Sequence, residues 1–475
     1  MPSNSSFVKG SLRNISYTFI AQGIALTISL IKALWIPKIL GIEEFSYWQL
    51  FLFYSSYVGF FQFGLNDGIY LRYGGKKFEH LDKPLFRSQF WILVVSQVIL
   101  AILIIIFSNI FVVDDNRLIV LIITSMCMFF TGTSAFFWFV FQSTNKIKEY
   151  ALSVVVEKFT FLIIVLILLV MRKGNFEYFV LADLVSRICG LIFCIVIGKE
   201  LIVGQISSWK IAISEMISNV SVGMKLMFAN IASMLIIGVG RFVVDYRWGI
   251  NAFGEFSLSL SIVSMILLFI NAVSIVLFPA LRRVGEDRLS ETYSLIRTIL
   301  ITLLCGFLIF YIPIQYILTA WLPEYSRSLK YLAILFPICV FDGKMQMLVS
   351  TYLKVLRKEG ILLKINIIAL LCSLLVCSIA VVISDNLNLV IVSLVVVVIA
   401  RCVLAELYLS SKLNLSIMKN LIGEILLMVA FMMSSWYLEG ILSLFIYLTA
   451  YLVFIYFNKY DLKHSLRLIG KVSSK

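Results

Sequence analysis

Apolar residues fall along this chain in runs of about 17–24, divided by short polar stretches, from near one terminus to near the other. Each run is long enough for an α-helix, rising about 1.5 Å per residue, to cross about 30 Å of hydrocarbon. The pattern predicts an all-α integral membrane protein of about 14 spans. The first six are Ile15–Pro37, Ser46–Gly64, Ser88–Ile110, Leu118–Phe141, Ala151–Met171 and Phe179–Ile197. The next six are Val222–Val239, Phe256–Phe278, Thr298–Leu318, Leu332–Val349, Ile361–Ile383 and Leu387–Leu409. Leu421–Tyr437 and Ile441–Tyr456 follow, divided only by Leu438, Glu439 and Gly440. The first run ends in Trp35 and Pro37 rather than in a small-residue cleavage site, so it reads as a retained span.

Part of this pattern occurs twice. Leu40-Gly41-Ile42-Glu43-Glu44-Phe45-Ser46-Tyr47-Trp48-Gln49-Leu50 returns 208 positions later as Trp248-Gly249-Ile250-Asn251-Ala252-Phe253-Gly254-Glu255-Phe256-Ser257-Leu258. A second echo, at nearly the same offset, pairs Lys146-Ile147-Lys148-Glu149-Tyr150 with Leu356-Arg357-Lys358-Glu359-Gly360. Two matches in register point to a duplication, the usual origin of paired halves in alternating-access transporters. The expected organisation is an N-terminal lobe over 1–210, a second over 211–412, and two further spans with a basic tail over 413–475.

Composition agrees: 61% of the residues are hydrophobic and 14% charged, more apolar surface than a soluble core can use. The formal charge of +14 does not indicate nucleic acid, because the basic residues sort by loop rather than cluster on a face. The N-terminal tail, the even-numbered loops and the C-terminal tail hold about 26 of the 40 Lys and Arg, the odd-numbered loops about 8. The richest are the second loop (Arg72, Lys76, Lys77, Lys83, Arg87), the eighth (Arg282, Arg283, Arg288, then Arg297), the tenth (Lys354, Arg357, Lys358) and the tail from Lys459. By the positive-inside rule these segments and both termini are cytoplasmic. Trp35, Trp48, Trp248, Trp321 and Trp436 fall near expected outer ends, as an interfacial aromatic belt requires.

The loops leave little room for catalysis. Expected outer loops reach at most about 17 residues, too short for the extracytoplasmic domain of a sugar polymerase. No Gly-x-x-x-x-Gly-Lys-Ser/Thr sequence exists, so the chain is not expected to hydrolyse nucleotide. His80 and His464 lie in cytoplasmic segments without partner motifs, and the eight cysteines sit in apolar runs without paired spacing. Neither a metal site nor any other cofactor is expected.

Function is then expected at the charges retained inside lipid, each costing about 2.5–3.5 kcal/mol at mid-span. They are Lys32, Glu157 with Lys158, Asp183 with Arg187, Asp342 with Lys344, and Arg401 with Glu406; Lys225 and Glu424 lie nearer helix ends. Arg187 sits roughly 12 Å into the hydrocarbon, beyond easy snorkelling reach. Asp183, four positions earlier, shares its face. The pair is either a neutral lock between helices or a cation held ready for an anionic substrate. Arg401 carries the same two readings. Lys158 and Lys344 read as cavity-facing, since a neighbouring carboxylate on a helix diverges by about 100° and need not pair. Lys32 can contact substrate or lift its ammonium to the interface. The excess of cations at several depths in both halves suits a phosphate or pyrophosphate cargo, whose oxyanions both Arg and Lys bind. A drug–cation antiporter would place acidic residues there.

With these features the sequence resembles the polysaccharide flippases of the Wzx (O-antigen translocase) type, in the superfamily that also holds the multidrug and toxic-compound exporters. The resemblance rests on Asn14-Ile15-Ser16, the Leu40-to-Phe45 turn, Phe63-Gly64-Leu65-Asn66-Asp67-Gly68, and Gln142 with Asn145-Lys146. It continues through Asp245, Gly249 and Phe253-Gly254-Glu255-Phe256-Ser257, and ends at Pro279-Ala280-Leu281. It implies two pseudo-symmetric six-helix lobes around a central cavity, with the two C-terminal helices as a departure. It also implies passage of undecaprenyl-pyrophosphate-linked oligosaccharide to the outer leaflet of the bacterial plasma membrane, with membrane lipids, a glycan polymerase and a chain-length regulator as partners. Expected substrate contacts are Arg187, Lys158, Lys344, Arg401 and Lys32, with Asp183, Glu157, Asp342 and Glu406 as charge partners. A drug or metabolite antiporter, and a glycan polymerase or acyltransferase, stand as the alternatives.

Overall fold

The computed structural model describes residues 23–24, 26–281, 288–438 and 440–473. Asn14-Ile15-Ser16 with the start of the first expected span, and also Arg282, Arg283 and Glu439, lie outside the described residues. Among those described there is no β-strand. Ten helices are long and apolar enough to cross a membrane, eleven if the bent pair near the C-terminus counts as one span. The chain is a multi-pass membrane protein. In lipid the helix is the solution that pairs every backbone N–H and C=O within one segment.

In chain order the helices are α1 (26–34), α2 (Ile36–Tyr57), α3 (Leu65–Tyr73), α4 (Lys83–Phe111), α5 (Asp115–Ser143), α6 (Ile147–Val170) and α7 (Phe176–Ile197). Then come α8 (Trp209–Leu281), α9 (Leu289–Phe307), α10 (Tyr311–Trp321), α11 (Ser326–Lys344), α12 (Ser350–Val355) and α13 (Glu359–Ile383). The chain closes with α14 (Leu387–Lys412), α15 (Met418–Tyr437), α16 (Ile441–Phe457) and α17 (Lys459–Ser473). Short polar signals set the starts. Asp82 accepts from the Leu85 N–H at 3.2 Å to cap α4, and Asp114 accepts from the Arg117 N–H at 3.0 Å to cap α5.

The repeated segment has the same backbone in both copies. Gly41 breaks α2 at φ 71°, ψ 176°, and Gly249 breaks α8 at φ 82°, ψ −178°. This region is open essentially to glycine alone. Thus α2 is two helices joined at Gly41, and α8 is two helices joined at Gly249. The second echo is corrected by two positions. After α5, Asn145 stands at φ 60° and the Lys146 N–H reaches the Phe141 carbonyl at 2.8 Å; after α12, Arg357 stands at φ 55° and the Lys358 N–H reaches Leu353 at 2.7 Å. Both are the same left-handed helix closure, so Lys146 corresponds to Lys358, not to Leu356.

The chain forms two compact units, Met1–Ile231 and Ala232–Lys475. In unit 1 an aromatic core of Phe86, Phe90, Phe136, Phe137 and Phe141 joins α4 to α5. The start of α8 packs backbone to backbone on α3: a methyl at Gly64 would stand 2.7 Å from the Met224 nitrogen, and one at Gly68 or Gly223 would collide with main chain. Trp48 is not interfacial. It is fully buried, stacked on Phe51 at 5.6 Å and on Phe161 at 6.2 Å. In unit 2 the segment Pro323–Val355 is the interior helix, with 89% of its apolar window enclosed, against 17% for Lys83–Phe111 in unit 1.

Candidate functional site

Apart from Lys225, which is exposed on α8, the intramembrane charges named above gather into one cluster in unit 1 and two in unit 2. In unit 1, Asp183 and Arg187 lie one turn apart on α7, and Arg187 Nε donates to Asp183 Oδ2 at 2.6 Å. The same guanidinium donates to Thr131 Oγ1 on α5. Lys32 on α1 approaches the other oxygen of Asp183 at 3.6 Å. Its ammonium also stands 4.3 Å from the ring centre of Phe161 and 5.5 Å from that of Trp48, an aromatic seat for a cation. On α6, Lys158 folds back onto Glu157 at 2.9 Å; its flexible stem overcomes the angular divergence of adjacent helix positions. Gly190 on α7 makes room for the Glu157 side chain, since a Cβ there would stand 3.1 Å from the Glu157 Cβ.

This cluster therefore sets three cations, Lys32, Lys158 and Arg187, against two carboxylates, Glu157 and Asp183. Its cations are also reachable: the side chains of Lys158, Lys32 and Arg187 are 35%, 21% and 14% exposed.

Unit 2 is different. Arg297 on α9 bonds Glu406 at 2.6 Å and Glu424 at 2.5 Å, while Lys344 on α11 bonds the same two carboxylates at 2.5 and 2.6 Å. Tyr293 donates a further hydrogen bond to Glu406 at 3.1 Å. All four charged side chains are at most 4% exposed. Arg401 donates to Asp342 at 3.3 Å, to Asn366 at 2.9 Å and to Ser233 at 2.8 Å. Asp342 also accepts from Gln346 at 2.5 Å, beside a π-helical turn at Met345–Val349. Both clusters are balanced in charge and closed by protein.

The structure thus joins Arg187, Asp183 and Lys32 directly and sets Lys158 with Glu157 on the adjoining helix. Lys344 and Arg401 are not cavity-facing cations here: Lys344 is enclosed by Glu406 and Glu424, and Arg401 by Asp342, Asn366 and Ser233. Sequence reasoning missed Arg297, assigned to a loop end, and Glu424, assigned to a helix end. Glu424 was the stronger available signal, as the one charge in the run Leu421–Tyr437. Arg187 and Arg401 have matching places. Each lies on the helix that closes the six-span set of its half and reaches the fourth helix of that set, at Thr131 and at Asp342.

A protein-family model described as "Polysaccharide biosynthesis protein" matches residues 11–285. The chain belongs to this family. No curated protein sequence matches it. Among solved structures, family membership sits with a transporter fold. The lipid II flippase MurJ in an inward closed conformation matches at a TM-score of 0.67 and 14% identity, over 94% of this chain and 99% of that one. An inward-facing multidrug resistance MATE family transporter of the MOP superfamily matches at 0.63 and 13%, over 84% and 98%. A MOP superfamily transporter from Pyrococcus furiosus, reported with a binding pocket of reverse polarity, matches at 0.56 and 13%, over 86% and 96%. This polysaccharide-biosynthesis protein has the MATE/MurJ-like fold, and these neighbours are transporters and a flippase rather than enzymes.

Proposed function

We propose that the protein flips a polyprenyl-pyrophosphate-linked oligosaccharide from the cytoplasmic to the outer leaflet of the bacterial plasma membrane, both termini cytoplasmic, for O-antigen, capsule or another surface polysaccharide. One observation supports the reading: the Lys32–Lys158–Arg187 cluster of unit 1 leaves one cation in excess of its two carboxylates, and its three cations are partly exposed. Retaining such a charge inside lipid is costly unless an anion meets it. A pyrophosphate fits, since Lys158 and Lys32 offer ammonium donors while Arg187 is held in place by Asp183. Undecaprenyl pyrophosphate is the cargo carrier implied by the family's role. Turnover is by alternating access, and the headgroup drives it only as far as its affinity differs between the two states. Lys344 and Arg401 are assigned to holding unit 2 together.

The test is reconstitution of Lys32→Gln and Lys158→Gln in proteoliposomes, reading exposure of the lipid-linked glycan to an impermeant lectin. Each change should lower transport roughly 10–100-fold, the worth of one charge-assisted contact, with membrane abundance held. Undiminished transport in both variants overturns the assignment.

A further inference from the structure

We infer that unit 2 carries, at the end which the basic-residue bias assigns to the outer face, a pocket for a sugar ring of the cargo; this rests on the glycan-flippase reading above. The cavity has a volume of about 360 Å³, and Trp248, Asn251, Glu255, Arg327, Tyr331 and Asn388 line it. That size lies within the range of small-ligand sites. Its chemistry is that of a carbohydrate binder. An indole and a phenol, Trp248 and Tyr331, supply aromatic surface of the kind that packs on the C–H face of a pyranose. Three carboxamides, those of Asn251, Asn386 and Asn388, both donate and accept, matching hydroxyls that do the same. Glu255 and Arg327 add one charge-assisted acceptor and one donor, and their charges cancel, so the pocket is not built for phosphate. An ion pair of Arg247 with Asp385, at 2.7 Å, ties together the chain beside Trp248 and the chain before Asn388.

The duplicated corner of unit 1 provides the comparison. There Tyr47 holds the position of Glu255, and Glu44 that of Ala252. The Tyr47 ring stacks on Phe176 at 5.3 Å and its hydroxyl donates to Asp114 at 3.0 Å. The Glu44 carboxylate accepts from the Phe176 N–H at 2.7 Å and caps α7. In unit 2 that cap is supplied by Asn386, which accepts from the Asn388 N–H at 2.9 Å, so no carboxylate is needed at position 252. Small Ala252 and polar Glu255 leave the corner open and lined with hydrogen-bonding groups.

The experiment uses the full chain in detergent and, as probe, the lipid-free oligosaccharides released by mild acid from the polyprenyl-linked pool of the source cells. Saturation-transfer NMR should show the sugars bound. Trp248→Ala and Asn388→Ala should each weaken binding about tenfold. Ala252→Glu with Glu255→Tyr, which installs residues already accommodated in unit 1, should abolish it while the protein remains monodisperse. Absence of binding by the native chain, or binding that survives the double change, overturns the pocket. The two proposals fail separately: sugar binding with undiminished transport by Lys32→Gln and Lys158→Gln removes the headgroup assignment alone, and the reverse pattern removes the pocket alone.

Discussion

Replacing Glu424 by Gln tests whether α15 is an integral part of unit 2. The change is nearly isosteric and removes one negative charge. The native carboxylate receives Arg297 Nη2 at 2.5 Å and Lys344 Nζ at 2.6 Å, in surroundings that leave Glu424 fully buried. After the change both cations depend on Glu406 alone, and one positive charge is left uncompensated. Removing one member of a buried ion pair costs about 3–5 kcal/mol, much of it the penalty of the stranded partner. For a unit of 244 residues (475 − 231) that corresponds to a melting temperature lower by roughly 6–20 °C. Thermal challenge followed by size-exclusion chromatography in detergent measures it. Lys344→Met combined with Glu424→Gln restores neutrality around the remaining Arg297–Glu406 pair and should recover much of the loss, a coupling of about 0.5–3 kcal/mol. A single variant that melts with the native chain, or a double variant that loses the sum of the two single changes, would show that α15 is not held in this way.

Glycine substitutions divide by mechanism. Gly68→Ala and Gly223→Ala drive a methyl into main chain and should cost about 1–3 kcal/mol or more, seen as reduced folded yield on fluorescence-detected size exclusion; native yield contradicts the close approach of α3 and α8. Gly41→Ala and Gly249→Ala meet no neighbour within 4 Å, so they cost only backbone strain, about 1–3 kcal/mol, and the two should lower the melting temperature by similar amounts; a neutral effect at either one contradicts the shared conformation.

The helices and their order were legible because apolar run length alone decides what can cross a bilayer. Gly41 and Gly249 were legible as a repeat, though only coordinates reveal the shared φ and ψ behind it. What the sequence could not supply is which way each helix faces. Spans apolar on every side carry little periodicity, so nothing local marks Glu424 on α15 as the partner of Lys344, 80 positions earlier. The same gap hid Trp48: its distance from a span end fitted an interfacial belt, but the packing of α6 and α7 over it decides its burial. Asp183 and Arg187 succeeded because four-residue spacing fixes a shared face before any tertiary contact forms. Lys158 and Glu157 show the limit of that rule, since a long flexible side chain can bridge positions whose Cβ atoms diverge.

The reading of unit 1 as an anion seat is tested most directly by comparing farnesyl pyrophosphate with farnesol, two lipids that share a tail and differ in charge. Affinities measured in detergent should favour the pyrophosphate by about tenfold or more in the native chain, and that preference should shrink in Lys158→Gln. Equal affinity for the two lipids, or a preference that Lys158→Gln leaves unchanged, contradicts it.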